Sequence, residues 1–228
     1  PNGDKRHAWE ASAMARPRKR SGEPDAQQRL VDALWLLLES NRLNDLTVGM
    51  VTAKAGCNRG TLYYHHADLD ALVYSAIERE LVGDGSVISA VYDLVLGTGT
   101  ASPTALMDTP SFRRLGLAIE QGGIELASAK IKDIVARMWQ AALRPEGVPL
   151  QPATHMLLEY HISGVVALLA RHTRSRAHGG LPQDDVSELL RRAASLLIDA
   201  LGDAEGVSPE EALARLQTAS RVSRAMLP

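Results

Sequence analysis

The chain has 228 residues, 45% hydrophobic and 23% charged, with a formal net charge of −2. Such a chain can bury a sizeable core, and its balance is that of a soluble globular protein. A 4% aromatic share favours helices over a sandwich or barrel; the single cysteine, Cys57, excludes an internal disulfide framework and predicts a reducing, cytoplasmic setting.

Residues 1–22 are rich in Pro, Gly, Ser and charge and are expected to form a disordered tail. They hold six basic and two acidic residues, +4 in all, with Arg18, Lys19 and Arg20 in the run A-R-P-R-K-R. Two readings stand: a solvated tail, or an arm that reaches phosphates or a minor groove. They contain no apolar segment of the kind a secretory signal needs.

A first helix is predicted from Pro24–Asp25 to Glu39 or Ser40, with Leu30, Leu34, Leu37 and Leu38 on one stripe and Trp35 packing at its edge. Residues 41–45 read as a loop, with Leu46 turned inward. Thr47 can cap a short helix whose apolar positions are Val48, Val51 and Ala55. Gly56 supplies the left-handed residue that ends it. Asn58 can cap a second short helix, Arg59 to His66, anchored by Leu62. Two helices joined by a tight Gly-containing turn make a helix-turn-helix, whose second helix enters the major groove. That helix carries Arg59, Thr61, Tyr63, Tyr64 and His65, all able to donate hydrogen bonds to phosphates or base edges. Gly60 is a poor helix former that would let the backbone approach a partner closely. Asp68 can cap a following helix through Leu72, Val73, Ile77 and Leu81, ended by Gly83-Asp84-Gly85.

From Ser86 the chain reads as helices broken by punctuation. Val87, Ile88, Val91, Tyr92 and Val95 form one segment, closed by Gly97-Thr98-Gly99. Thr109 and Pro110 open a helix through Phe112, Leu115 and Ile119, and Gly122-Gly123 breaks it. A helix from Ile124 to Leu143 precedes a Pro/Gly loop at 144–152. Two longer helices, about Pro152–Arg174 and Asp184–Leu201, are apolar over a wider face than one packing partner needs. The longest apolar runs, Ala33–Leu38 and Ile162–Ala170, are too short to span a bilayer, so no membrane partner is expected. Ser208-Pro209-Glu210-Glu211 reads as a capping box opening a last helix.

The string A-G-C-N-R-G-T-L-Y-Y-H from Ala55 to His65, followed by Ala71-Leu72, resembles the DNA-binding domain of the tetracycline-repressor (TetR) family. The resemblance covers residues 25 to 82. It implies an all-α fold: an N-terminal three-helix helix-turn-helix domain plus a larger helical ligand-binding and dimerisation domain. It further implies a homodimeric, ligand-responsive regulator, usually a repressor, that docks two recognition helices on double-stranded operator DNA. Arg59, Thr61 and Tyr64 would then touch base edges, while Thr47, Tyr63 and His65 hold phosphates. The late helix pair would build a four-helix dimer bundle. A small-molecule effector would lie among residues such as Met107, Phe112, Trp139, Met156 and Tyr160, its identity unassigned. Three positions depart from the family pattern: His66 replaces an aromatic or aliphatic residue, Leu69 a phosphate-touching lysine, and Gly49 a polar or basic residue.

Charge qualifies this reading. Residues 25–82 hold five basic and eight acidic residues, −3, so the attraction that dominates DNA affinity falls to the tail and a few placed side chains. The histidines show no zinc-type spacing, so no metal is expected. No nucleophile elbow, P-loop or dinucleotide fingerprint is present, so neither enzymatic activity nor a cofactor is expected. The domain plan is therefore a basic tail at 1–22, a DNA-reading unit with its linking helix at 23–82, and a ligand-binding and dimerisation unit at 83–228. The alternatives are a helical small-molecule binder or enzyme with a degenerate DNA-reading domain, and a dimeric scaffold.

Overall fold

The computed structural model describes residues 25–83, 87, 109–175 and 183–226. Among these the chain is all-α, with nine α-helices and no strand. The first group is α1 (Ala26–Leu38), α2 (Val48–Lys54), α3 (Arg59–His65) and α4 (Leu69–Val82). The second is α5 (Pro110–Gly122), α6 (Ile124–Leu143), α7 (Pro152–Ser175), α8 (Gln183–Glu205) and α9 (Pro209–Met226). The expected loop after α1 contains a short 3-10 turn at Leu43–Asp45. The tail with Arg18, Lys19 and Arg20, the segment expected from Ile88 to Val95, the Gly97–Gly99 break and the Gly-Gly-Leu-Pro loop lie outside the described residues.

Each early helix starts where a side chain can take an orphan N–H. Asp25 accepts from the Ala26 amide at 2.7 Å, Asp68 from Ala71 at 2.8 Å, and Thr109 from Phe112 at 3.2 Å. Such a cap contributes about 1 kcal/mol. Leu30, Leu34 and Leu38 of α1 are almost wholly buried and join Val51, Leu62, Leu72 and Ile77 in one core. That core runs on without a break through Phe112 and Ile119 of α5 and Ile134 and Trp139 of α6. Trp35 packs as expected, with the Arg114 guanidinium 5.9 Å above its ring.

α4 is held to the second group by charge as well as by apolar packing. Arg114 pairs with the buried Glu80 at 2.7 Å, Lys130 with Asp70 at 2.7 Å, and Arg137 with Glu78 at 3.1 Å. Tyr74 donates to Asp133 and accepts from Arg137, and burial together with the Asp133 hydrogen bond pushes its phenol far above the usual range. Three of the eight acidic side chains of residues 25–82 are thus matched by cations from α5 and α6.

Besides α1, which ends at Leu38 rather than at Glu39 or Ser40, three elements differ from their expected form. α3 stops at His65, one residue early, because His66 turns extended (φ −138°, ψ 138°) and folds inward. α8 runs past Leu201 to Glu205 because Gly202 does not end it. The returning chain lies against Gly202 instead, where a Cβ would meet the Val207 carbonyl oxygen at 2.7 Å, and Gly206 (φ +72°) makes the turn. The capping box is half formed. Ser208 accepts the Glu211 amide at 3.2 Å, but the Glu211 carboxylate pairs with Arg215.

The extra turn of α8 brings Glu205 into a clamp. Its carboxylate, 1% exposed, accepts from Arg144 Nε at 2.7 Å, the Gln151 amide at 2.9 Å and the Thr154 hydroxyl at 2.5 Å. Burial pushes this carboxyl up, but the three donors outweigh it and hold it below its usual range. One side chain therefore ties together the end of α6, the start of α7 and the end of α8.

Candidate functional site

The α2–α3 corner is built from the residues upward. Thr47 Oγ1 accepts from the Met50 amide at 3.2 Å and opens α2. Arg29 of α1 reaches the Ala55 carbonyl at 3.3 Å and secures its end. Gly56 takes φ +64°, and Cys57 packs against the core, where burial pushes its thiol up against the opposing pull of Arg29. Asn58 Oδ1 then accepts both the Thr61 amide at 2.9 Å and the Thr61 hydroxyl at 3.1 Å. Gly60 belongs to this cap, since a Cβ there would press on Asn58 Oδ1 at 3.2 Å.

Leu62, wholly buried, is the side chain by which α3 is anchored in the core. Everything else on the helix is left to solvent to some degree. Tyr63 is 56% and Tyr64 83% exposed, Arg59 and Gly60 are exposed, and Thr61 and His65 are half-buried. The His65 ring stands edge-on to Tyr64, centroids 5.0 Å apart. Thr47 is exposed at the neighbouring start of α2. The Arg59 guanidinium lies back over α2, where a Cβ on Gly49 would be 3.2 Å from Nη2 and 3.8 Å from Thr47 Oγ1. Gly49 therefore leaves room for Arg59. Because the Thr61 hydroxyl proton is engaged by Asn58, Thr61 presents an acceptor rather than a free donor.

The other two departures from the TetR pattern have a physical account as well. Leu69 is half-buried and packs on the core, where a lysine would be displaced outward. His66 is buried with no partner on Nε2, and burial, His65 and Arg79 all push its pKa below the ordinary 6.5. It serves as a buried core ring where the family pattern has an aromatic or aliphatic residue.

A second exposed feature is of opposite character. α7 and α8 lie side by side, and Met156 (74% exposed), Tyr160 (76%) and Leu196 (65%) stand out from them with Leu189. Between these residues runs an apolar cleft of about 1010 Å³, lined also by Gly164 and Ala193 and by the charged Glu159 and Arg192. Pro152–Arg174 is also the one described helix that meets the length and composition of a membrane span, although its apolar runs are short. The same apolar width explains both observations. Beneath the cleft, toward Phe112, lies a smaller cavity of about 130 Å³.

Of the residues expected to line an effector pocket, Trp139 is buried core, Phe112 is buried and lines the smaller cavity, Met156 and Tyr160 lie on the outer face, and Met107 is outside the described residues. They do not form one site. His161, missed by sequence reasoning, touches both the cleft and the cavity, and only its place among apolar neighbours on α7 hinted at this. Among the described residues no group of three His, Cys, Asp or Glu side chains is clustered to hold a metal. Compared with known proteins, the chain matches no family model and no curated protein.

Proposed function

We propose that this chain is a sequence-specific DNA-binding transcriptional regulator of the TetR kind, a cytoplasmic homodimeric repressor released from a pseudo-palindromic operator by a small molecule. The observation that carries the proposal is α3: a seven-residue helix held by one buried leucine and an asparagine cap, with Arg59, Tyr63 and Tyr64 exposed beside Thr47. A helix that spends one side chain on the core and presents the rest to solvent suits a major groove. In this reading Tyr64 and the Gly60 backbone approach base edges, and Thr47, Arg59, Tyr63 and His65 meet phosphates. Arg18, Lys19 and Arg20 supply further positive charge.

The acidity of residues 25–82 is less of an obstacle than their sequence suggests, because Lys130, Arg137 and Arg114 offset Asp70, Glu78 and Glu80. The α7–α8 face supports the homodimer. A second copy related by a two-fold axis would cover Met156, Tyr160 and Leu196 with their own counterparts, as an isologous interface does.

Selection of bound duplexes from a random DNA pool, beside an Arg59→Ala/Tyr63→Ala control, tests the proposal. An enriched palindrome that the control loses and that weakens steeply with salt supports it. No enrichment at low salt overturns it. The competing reading, a helical small-molecule binder with a degenerate DNA-reading unit, rests on the cavity beneath the α7–α8 face and predicts ligand binding without sequence-dependent DNA binding.

A further inference from the structure

The 130 Å³ cavity lies between α5, α7 and α8, with Phe112 and Leu197 among its walls and Ala194 lining it from α8. That volume suits a single six-membered ring; an engineered apolar cavity of roughly 150 Å³ in another protein holds benzene. Among the described residues its lining is apolar at every position but His161. The Nδ1 atom of His161 is 2.9 Å from the Leu157 carbonyl oxygen. A carbonyl only accepts, so Nδ1 carries a proton and Nε2 is the ring atom left to meet a ligand. A charged ligand would leave most of its charge unpaired among hydrocarbon, which is costly. A ring with one hydroxyl satisfies both the walls and the imidazole.

Four of the lining residues, His161, Val165, Leu190 and Ala193, also line the outer apolar cleft. A molecule in the cavity therefore bears on the α7–α8 seam from behind. We propose that the cavity binds a small uncharged aromatic alcohol through His161, and that its occupation strengthens self-association through the α7–α8 face. The second part rests on the homodimer reading above; the first does not. Filling the space behind Val165 and Leu190 restricts their motion, so a partner copy has less ordering to impose. By linkage, self-association strengthens ligand binding by the same factor.

Calorimetric titration of the full chain with phenol, toluene and benzoate tests the ligand class. Phenol is expected to bind more tightly than toluene, and benzoate least. Ala194→Leu, which fills the cavity from a residue that does not line the outer cleft, is expected to abolish phenol binding. His161→Phe is expected to keep toluene binding while losing the preference for phenol. Equal binding of phenol and toluene, preference for benzoate, or phenol binding undiminished in a folded Ala194→Leu chain would overturn the assignment. Should Ala194→Leu not fold, the phenol-to-toluene ratio in His161→Phe decides alone.

Sedimentation equilibrium with saturating phenol tests the coupling, with a drop of roughly fivefold or more in the dimer dissociation constant expected. An unchanged or raised constant overturns the coupling and leaves the cavity assignment standing. A chain that stays monomeric overturns the homodimer reading as well. Duplex selection without phenol reports on DNA binding separately.

Discussion

The two exposed faces of this protein are made by opposite uses of a helix. α3 is seven residues long and commits Leu62 alone to the core. α7 and α8 are 24 and 23 residues long, bury one side, and still present Met156, Tyr160, Leu189 and Leu196 outward. The polar face loses little by standing in water, and its hydroxyls, imidazole and guanidinium suit a charged partner. The apolar face is costly to leave uncovered and suits a partner that removes it from water. The chain thus keeps an exposed polar face and an exposed apolar face on separate helices, and the proposed function assigns a different partner to each. α4 stands between them, tied to α6 by Lys130–Asp70 and Arg137–Glu78.

The largest expected effects separate the two regions. Glu205→Ala removes the carboxylate on which Arg144, Gln151 and Thr154 converge. Arg144 can then reach water, but the wholly buried Thr154 hydroxyl is left without its acceptor, and losing these charge-assisted bonds costs about 3 kcal/mol. Thermal melting should show that loss, with self-association falling in parallel, while the α2–α3 corner keeps its contacts. Leu62→Ala acts on the other side, since it empties the anchor of α3 for about 3 kcal/mol. It should abolish duplex binding and leave sedimentation of the dimer unchanged. If Leu62→Ala dissociated the dimer as well, the two faces would not be separable.

Deleting residues 1–22 is the next effect in size. It removes Arg18, Lys19 and Arg20 and none of the buried residues of the core, so the melting temperature is expected to hold. Duplex affinity is expected to fall by about tenfold or more, and the slope of log K against log salt to flatten by about one for each phosphate no longer neutralised. Equal slopes for the two chains would move the electrostatic attraction onto the folded corner. Asn58→Ala is expected to cost about 1 kcal/mol in melting. It also loosens the first turn of α3, which carries Arg59 and Gly60, so the weakening of duplex binding should be larger than the loss of stability alone produces.

Much of this was legible because punctuation is local chemistry. Thr47, Gly56, Asn58, Asp68, Thr109 and Gly123 each do at short range what their residue type requires, so the starts of α2 to α6 agree with the sequence reading. The extension of α8 was not legible, because Gly202 is a helix breaker only until a returning backbone needs the space its missing side chain leaves. The neutralisation of α4 was hidden for a similar reason. Asp70 and Lys130 are 60 residues apart, and no sequence window joins them. The expected pocket residues scattered because apolar type alone does not distinguish core, as at Trp139, from an outer face, as at Tyr160.

His66 gives the smallest and most specific effect. Its imidazole is buried with Nε2 unpartnered, and burial, His65 and Arg79 hold its folded pKa below the ordinary 6.5. As pH falls through about 6.5, the unfolded chain takes up a proton that the folded chain does not. Stability from this residue is therefore complete above that value and is lost progressively toward the lower folded pKa. The slope cannot exceed about 1.4 kcal/mol per pH unit for one proton. His66→Phe removes the titration while keeping a ring in the core. The melting temperature of the variant relative to the parent should therefore rise as pH is lowered from about 8 to about 5. A constant difference across that range would mean that His66 gains its proton in the folded state as readily as in the unfolded one, and hence that water reaches the ring between α3 and α4.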